Sequence, residues 1–255
     1  TVVSQAHQYR RGGSKILTMS TANPGSDDAH RASRNDFDLV APIYDGLAAL
    51  VFGGAIRRAQ TRLLPELRNA QRALIVGGGT GWFLLELLDR TDVEHVLYVE
   101  KSEIMLNKSR ALLMQRTPQW ANRVEFRLGT EESVTAQDGA FDLLVTNFFL
   151  DLFVDANCVH MIEQLASKLS SNGRWLFVDF HTPEGGWQRT ASDALYTVMY
   201  GFFSLTSQIE SRRPPQYQDT FDRLGVRTEV EEMFYATMIR AKLMRKLSPS
   251  NGSAR

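Results

Sequence analysis

Short, continuous apolar runs alternate with stretches of helical apolar spacing through residues 71–182. An apolar run of about 4–8 residues bounded by turn residues is typical of a strand that is buried on both faces. Strands that alternate with helices predict a parallel sheet with helices on both faces. The five strands predicted in this way lie near residues 73–76, 95–99, 123–127, 141–146 and 174–180.

The regions on either side of this core have different patterns. Residues 35–70 carry helical spacing and predict an N-terminal helical lead-in. Residues 1–33 are polar and lack periodicity, so we expect a disordered or artificial tail, with Met19 as a candidate native start. After the fifth strand, residues 187–209 form an unusually aromatic helical stretch, and Pro214 excludes its continuation.

A glycine-rich segment joins the first strand to the helix that follows it. The sequence Gly-Gly-Gly-Thr-Gly spans Gly77–Gly81, and the second strand ends in Glu100. Strand, glycine turn, helix, strand and terminal acid together make a nucleotide-binding half-unit. Glycines let the backbone approach a ligand where a Cβ would block it, and a carboxylate can accept hydrogen bonds from two ribose hydroxyls.

The spacing of the glycines narrows the kind of nucleotide. A dinucleotide fingerprint needs a third glycine, but its place holds Trp82 or Leu84, depending on which glycine starts the count. No Gly-Lys-Ser or Gly-Lys-Thr follows, which excludes a P-loop. The remaining G-x-G-x-G pattern predicts a loop that passes close to a ligand without a pyrophosphate.

Six blocks of the sequence resemble the class I S-adenosylmethionine-dependent methyltransferases, in the order in which that family has them. Val76–Gly81 resembles motif I, and Glu100–Leu106 resembles the acid-x-Ser-x-x-Met-Leu motif. The other four are residues 124–131, which resemble the strand and turn beside the adenine, 141–147 (the fourth strand), 169–180 (the fifth strand) and 37–45, which are similar to the segment before the core in the quinone C-methyltransferase group.

The resemblance implies a fold class and a domain division. The expected fold is α/β: a Rossmann-like, seven-stranded, mostly parallel sheet with an antiparallel last strand, helices on both faces, a helical N-terminal lead-in and a cap. Residues 228–233 and 236–243 would be the sixth and seventh strands. The methyltransferase domain is expected at 34–247, with a helical cap insertion at 187–215 and a tail at 248–255.

The same resemblance implies a ligand and the residues that bind it. The cofactor would be S-adenosylmethionine, and S-adenosylhomocysteine its product. The cofactor-binding residues carried over from the family motifs are Tyr44, Gly77, Gly78, Gly79, Thr80, Gly81, Glu100, Lys101, Met105, Gly129, Thr130, Glu131, Asn147 and Phe148.

Two positions depart from the family pattern and keep other hypotheses open. Ile75 stands where an acid usually helps to hold the methionine amino group, and Thr130 where an aspartate usually binds the adenine amine. A non-catalytic cofactor-binding scaffold is therefore one alternative. An aminopropyl transferase-like enzyme is another, since its loop can also read Gly-Gly-Gly; that group needs an acid-rich amine pocket, whereas an aromatic cap follows here.

The carboxyl ends of the strands are where ligands bind in this architecture. That rule places Asp179 and His181, after the fifth strand, near the reaction as the candidate catalytic residues. His181 is the candidate base, because imidazole titrates near neutral pH. The aromatic cap, together with residues 37–45, predicts a small apolar or aromatic methyl acceptor, either quinone-like or a lipid precursor.

Composition sets the remaining expectations. Lysine plus arginine equals aspartate plus glutamate, at 29 each, so no overall field attracts nucleic acid. The five histidines lack metal-ligand spacing, and the apolar runs are shorter than the ~20 residues of a membrane span. A single cysteine, Cys158, suits a reducing cytoplasm. We expect a cytoplasmic monomer or homodimer without a metal, whose basic end is a solvated tail comprising Lys242, Arg245 and Lys246.

Overall fold

The computed structural model describes residues 54–153, 155–181 and 217–248. Its strands are β1 (Arg72–Val76), β2 (His95–Glu100), β3 (Val124–Leu128), β4 (Phe141–Asn147), β5 (Leu169–Phe180), β6 (Val226–Phe234) and β7 (Ile239–Lys246). Its helices are α1 (Ala55–Thr61), α2 (Trp82–Arg90), α3 (Glu103–Arg116), α4 (Asp155–Lys168) and α5 (Gln218–Arg223). The first part of the lead-in, Tyr44, the cap, the N-terminal tail and residues 249–255 lie outside the described residues.

The strands form one sheet in the order β3-β2-β1-β4-β5-β7-β6. Neighbours among β1 to β5 pair in parallel, whereas β7 runs antiparallel to both β5 and β6. The predicted Rossmann-like sheet with an antiparallel last strand is therefore confirmed. The strand order reverses between β1 and β4, and ligands bind at such a switch point, outside the carboxyl ends of the strands.

Each face of the sheet carries its own apolar cluster. Helices α1, α2 and α3 cover one face, where they bury Tyr98 of β2 and Val145 of β4. Helices α4 and α5 cover the other face, where Trp175 and Phe177 of β5 pack against Phe221 of α5. Because side chains alternate along a strand, a run buried on both faces has to be apolar throughout.

The C-terminal end of the domain differs from the prediction. Residues 235–237 all have positive φ and form the turn between β6 and β7, so Ala236 does not start the last strand. The strand instead continues to Lys246, and the expected solvated basic tail is wrong. Lys242 is only 4% exposed and donates to Gln218, while Lys246 donates to the carbonyl oxygens of Ala166 and Leu169.

Two absences concern the described residues alone. None of their helices has the length and apolar character needed to cross a lipid bilayer. They also contain no cluster of three or more His, Cys, Asp or Glu side chains arranged to hold a metal ion.

Candidate active site

Three of the predicted site residues meet at the carboxyl edge of the central strands. Val76 of β1 lies beside Val99 of β2 and Thr146 of β4, so the residues that follow these positions are Gly77, Glu100 and Asn147. A cavity of about 40 Å³ opens at this edge. Its lining includes Ile75, Val76, Gly77, Gly78, Tyr98 and Asn147.

The glycine loop is shaped by contacts that side chains would prevent. Gly77 and Gly79 have φ values of +66° and +67°, in the left-handed region that disfavours other residues. A Cβ at Gly77 would lie 2.6 Å from the Phe149 ring, and one at Gly78 would overlap the Tyr98 ring. A Cβ at Gly79 would meet nothing within 4 Å. The loop is therefore packed on its inner side and open at Gly79.

Glu100 lies directly beneath this open glycine. Its Oε2 accepts a hydrogen bond from Gly79 N at 2.8 Å, and its Oε1 accepts one from Ser102 N at 2.8 Å. The residue is only 8% exposed. Each carboxylate oxygen has a second lone pair, so the side chain can still accept hydrogen bonds from a ligand. The same backbone contacts fix its orientation before any ligand arrives.

Asn147 brings an unused acceptor to the cavity. Its Oδ1 is buried and has no hydrogen-bond partner among the described residues. The next residue, Phe148, has a φ of +52°, an unusual conformation for a bulky side chain. Its backbone N–H donates to Val178 O at 2.7 Å, and its ring lies 4.8 Å from that of Phe180. Buried unpaired atoms and strained backbone are both more frequent at functional sites than elsewhere.

The remaining side of the crevice is formed by the turn after β3. Gly129 N donates to Glu100 O at 3.0 Å, which draws this turn towards β2. Glu131 is half-buried in the turn, and burial raises the pKa of its carboxyl group. On α3, Met105 N donates to the capping Ser102 hydroxyl at 3.3 Å. Thr130 and Glu131 thus lie near the end of β2 that carries Glu100.

Comparisons with known proteins show that this chain is similar to methyltransferases. The sequence profile of a methyltransferase domain matches residues 73–173, the stretch from β1 to the start of β5. A ubiquinone/menaquinone biosynthesis C-methyltransferase of Geotalea uraniireducens is 26% identical over 172 residues, 66% of this chain and 68% of the relative. A malonyl-[acyl-carrier protein] O-methyltransferase of Halorhodospira halophila is 27% identical over 68% of this chain and 58% of its own length.

Residues 73–173 thus form a methyltransferase domain like that of the class I S-adenosylmethionine-dependent enzymes.

Solved structures with the same fold include other methyltransferases. The mitomycin 7-O-methyltransferase superposes with a TM-score of 0.61 at 17% identity, over 87% of this chain and 58% of that protein. A didemethyltoxoflavin N1-methyltransferase of Burkholderia thailandensis, solved with S-adenosylhomocysteine, has a TM-score of 0.58 at 17% identity, over 89% and 93%. The chain thus spans under two thirds of the length of several proteins that it matches.

The structure brings most of the cofactor-binding residues predicted for this methyltransferase to one crevice. Gly77, Gly78, Gly79 and Glu100 adjoin one another, with Asn147 across the switch point. Lys101 and Met105 lie at the start of α3, beside Glu100. Thr80 and Gly81 complete the loop before α2, where a Cβ on Gly81 would lie 2.6 Å from that of Ser109.

The two candidate catalytic residues of the methyltransferase have different surroundings. Asp179 is 1% exposed, and its oxygens accept hydrogen bonds from Asp151 N at 3.1 Å and Phe180 N at 2.9 Å. His181 Nε2 lies 2.9 Å from Arg240 Nη2. Because a guanidinium group only donates, this imidazole nitrogen has to accept, which corresponds to a neutral ring. Asp179 is therefore enclosed in the protein, whereas His181 is half-buried just beyond it.

Sequence reasoning missed three residues that shape the site. Tyr98 fills the space under Gly78 and donates its hydroxyl to Gly79 O at 3.0 Å. Phe149 packs against Gly77, and Asp151 donates its backbone N–H to Asp179. The sequence contains one indication for each of the two polar residues, Tyr98 and Asp151. Tyr98 precedes Glu100 by two positions on β2, and Asp151 is the sole charged residue in the apolar run 148–153.

Proposed function

We propose that this protein transfers the methyl group of S-adenosylmethionine to a small apolar or aromatic acceptor. The observation that carries the proposal is the Glu100 carboxylate, held by two backbone amides beneath a loop that is open at Gly79. A preoriented carboxylate beside an unobstructed backbone is suited to the ribose of an adenosine ligand.

The residues present fit this cofactor. Glu100 would accept from the ribose hydroxyls, and the backbone of Gly77–Gly81 would lie against the methionine portion. Lys101, Met105, Gly129 and the Thr130–Glu131 turn would surround the adenine. When bound, the cofactor supplies a methyl group already activated by a sulfonium. Tyr44, which the family resemblance places over the methionine end, lies outside the described residues.

Two neighbouring residues offer substitutes for the acids that this chain lacks. The buried Asn147 Oδ1, which has no partner among the described residues, can accept from the amino group that an acid at position 75 usually binds. Glu131, next to Thr130, is half-buried, and its carboxyl group would accept from the adenine amine. In this proposal, the two acceptors would compensate in cofactor binding for the departures at positions 75 and 130.

The side of the crevice that we assign to the acceptor has aromatic residues. Phe148 and Phe180 pack ring to ring at the ends of β4 and β5. The relatives named above act, by their names, on a quinone precursor, malonyl-acyl-carrier protein, mitomycin and a toxoflavin precursor. An apolar wall favours an apolar or aromatic acceptor, because pockets bind mainly through apolar surface with a few oriented polar groups. A quinone-like or lipid-precursor acceptor remains our proposal.

Alignment is the main task of the protein in this reaction. Orienting a nucleophile and an activated methyl group can lower the barrier by about 7–11 kcal/mol. We infer that His181 is the general base for an acceptor that must lose a proton, since it follows β5 and its ring is neutral in the hydrogen bond with Arg240. Asp179 would act through the backbone that it binds, because its oxygens are enclosed.

A matched pair of glycine variants tests cofactor binding. Gly79 and Gly225 have nearly the same φ, +67° and +69°, and a Cβ at either would meet nothing within 4 Å. Gly79→Ala and Gly225→Ala should therefore lower the free energy of unfolding similarly, by about 1–2 kcal/mol. In calorimetric titrations with S-adenosylmethionine, only Gly79→Ala should weaken binding, by about 1–3 kcal/mol or roughly 10–100-fold.

Four results would contradict the proposal in different ways. No detectable heat with the wild-type protein would exclude the cofactor. Equal weakening of cofactor binding in both variants would mean that the glycine loop is not part of the binding site. Binding without methyl transfer to a panel of quinone, phenol and lipid-precursor acceptors would favour the non-catalytic scaffold. Transfer of an aminopropyl group from decarboxylated S-adenosylmethionine would favour the aminopropyl transferase alternative.

A further inference from the structure

The turn that follows β4 touches both the cofactor loop and the apolar wall. Within this turn, Phe149 packs its ring against Gly77, and Phe148 packs against Phe180. Phe148 adopts its positive φ here, a conformation that costs on the order of 1–2 kcal/mol for a residue with a side chain. A strained turn persists only where surrounding contacts hold it. What holds this turn therefore decides the shape of the site.

A buried carboxyl group fastens the turn to the neighbouring strand. Asp179, near the end of β5, accepts from Asp151 N at 3.1 Å through Oδ2 and from Phe180 N at 2.9 Å through Oδ1. Asp151 lies in a one-turn 3-10 helix, Leu150–Leu152, two residues after Phe149. The hydrogen bond therefore connects β5 directly to the segment that carries the two phenylalanine rings.

Asp151 adds a second carboxyl group to the same enclosed space. Asp151 and Asp179 are 4% and 1% exposed, and the bond from Asp151 N to Asp179 Oδ2 brings their carboxyl groups into the same buried space. Two ionised carboxylates have no hydrogen to share, so a hydrogen bond between these side chains would require a proton. Asp151 Oδ1 has no conventional donor among the described residues, and a proton between the carboxyls supplies one.

The surroundings favour retention of that proton. Burial raises the pKa of Asp151 to about 6, and burial together with the charge of Asp151 raises the pKa of Asp179. Among the described residues, Tyr217 before α5 interacts electrostatically with both aspartates, and also with Cys158 of α4 and Arg240 of β7. Arg240 is already engaged with Glu231 and His181. The pair titrates as a unit, because each proton changes the field at the other site.

We propose that Asp151 and Asp179 are positioning residues that share one proton and clamp the Phe148–Leu152 turn to β5, which fixes Phe149 against the cofactor loop. The inference rests on the proposed function, since that loop is where S-adenosylmethionine would bind. Neither carboxyl touches the cofactor. Their effect passes through the backbone of the turn and the Phe149 ring.

The geometry predicts different effects when each of the two aspartates is replaced by asparagine. In Asp151→Asn, the new amide can donate to Asp179 permanently and so replace the shared proton. In Asp179→Asn, the amide nitrogen must face one of the two backbone N–H groups that the carboxylate now binds. A donor facing a donor leaves a buried N–H unpaired, which is destabilising. A purely space-filling role would give no such asymmetry.

The test uses the wild-type protein, Asp151→Asn, Asp179→Asn and a control, Asp142→Asn. Asp142 also accepts backbone N–H groups, from Gln71 and Arg72, but at the opposite end of the sheet. Each protein is titrated with S-adenosylhomocysteine at several values between about pH 5 and 8, and its thermal midpoint is measured at the same values. The two readouts are the difference between the Asp151→Asn and Asp179→Asn variants and the pH dependence of the thermal midpoint.

We expect a different signature from each variant. Asp179→Asn should weaken S-adenosylhomocysteine roughly tenfold at every pH and lower the thermal midpoint. A raised pKa in the folded state means that the stabilisation is present at low pH and lost as the pH rises through about 6. The wild-type thermal midpoint should therefore fall relative to that of Asp151→Asn between pH 5 and 8. Asp142→Asn should keep the wild-type affinity and pH profile.

Two results would overturn the inference. One is an Asp151→Asn variant that retains the wild-type pH profile, and the other is an Asp179→Asn variant that binds as tightly as the wild type. If the wild-type protein binds no S-adenosylhomocysteine, the proposed function fails instead. In that case the thermal midpoints alone decide whether the pair shares a proton, and the connection to the cofactor loop is withdrawn.

Discussion

The two ends of the sheet contain carboxylates with nearly the same backbone hydrogen bonds. At the amino end, Asp142 accepts from Gln71 N and Arg72 N at 2.9 Å each. At the carboxyl end, Glu100 accepts from Gly79 N and Ser102 N at 2.8 Å each. Both acids join a loop to a strand, so the hydrogen-bond pattern alone does not identify a functional site.

The difference lies in what surrounds each carboxylate. Next to Asp142, the guanidinium group of Arg72 donates a hydrogen bond to Asp138 O. Glu100 instead binds the backbone of Gly79, where a Cβ would meet no other atom within 4 Å, and Asn147 Oδ1 is left without a partner among the described residues. The candidate site therefore differs from the amino end in its unused hydrogen-bonding capacity. The following three predictions test this distinction between the two ends.

The largest effect is expected when each carboxylate is removed. Glu100→Ala should weaken S-adenosylmethionine binding by about 1.5–3 kcal/mol, because charge-assisted hydrogen bonds to the ribose are lost. Asp142→Ala should lower the free energy of unfolding by about 1 kcal/mol and leave the dissociation constant unchanged. Calorimetric titration and chemical denaturation of both variants measure the two quantities. An unchanged dissociation constant in Glu100→Ala would refute the ribose role.

The second prediction concerns catalysis at the carboxyl end. His181→Ala should lower turnover roughly 100-fold with little change in cofactor affinity, since a general base contributes about that much. The measurement is kcat and the cofactor dissociation constant, with an acceptor found in the panel screen. His95, at the amino end of β2, is the matched control, and His95→Ala should retain turnover. Full activity of His181→Ala would leave alignment as the sole contribution of the protein.

The smallest effect is expected from the ion pair between Arg127 of β3 and Asp138, which precedes β4. Arg127 binds Asp138 through both terminal nitrogens at 2.8 and 2.7 Å, and Thr135 N donates at 2.7 Å. These bonds hold the pKa of the Asp138 carboxyl well below its usual range. A lowered pKa means that the stabilisation is present above about pH 4 and lost as the pH falls below it.

Asp138→Asn should therefore lower the free energy of unfolding by about 1–2 kcal/mol at pH 7. The difference from the wild type should shrink as the pH falls from about 4 towards 2, opposite in sign to the effect expected for Asp151 and Asp179. Urea denaturation across this pH range measures it. If the difference in the free energy of unfolding does not depend on pH, the ionised Asp138 carboxylate does not stabilise the folded state.

Short stretches of sequence predicted the strands, because each strand is specified by residues that are adjacent in the chain. The strands β1 to β4 begin and end within one residue of the predicted bounds, since apolar runs bounded by turns specify them. The position of Glu100 at the carboxyl end of β2 was predicted in the same way, from the apolar strand that it ends. The start of β7 was missed, because three consecutive residues with positive φ, 235–237, include none of the glycines that usually mark such a turn.

The missed site residues act over longer distances in sequence. Asp151 and Asp179 are separated by 28 positions, and Tyr98 binds the backbone 19 positions before it. Their functions depend on which strands become neighbours, and single-residue patterns do not contain that information. A tyrosine in a buried strand, taken alone, indicates only an apolar position with a polar end that needs a partner.

The position of β7 has a consequence for the order of folding. This strand is inserted between β5 and β6, and it is later in the chain than both of them. Until residues 239–246 are synthesised, β5 has no partner on one side, although residues 174–180, which pair with β7, are mostly apolar and buried in the finished sheet. A nascent chain that stops before this point exposes a sticky strand edge. Completion of the sheet therefore has to wait for the β6–β7 hairpin to emerge.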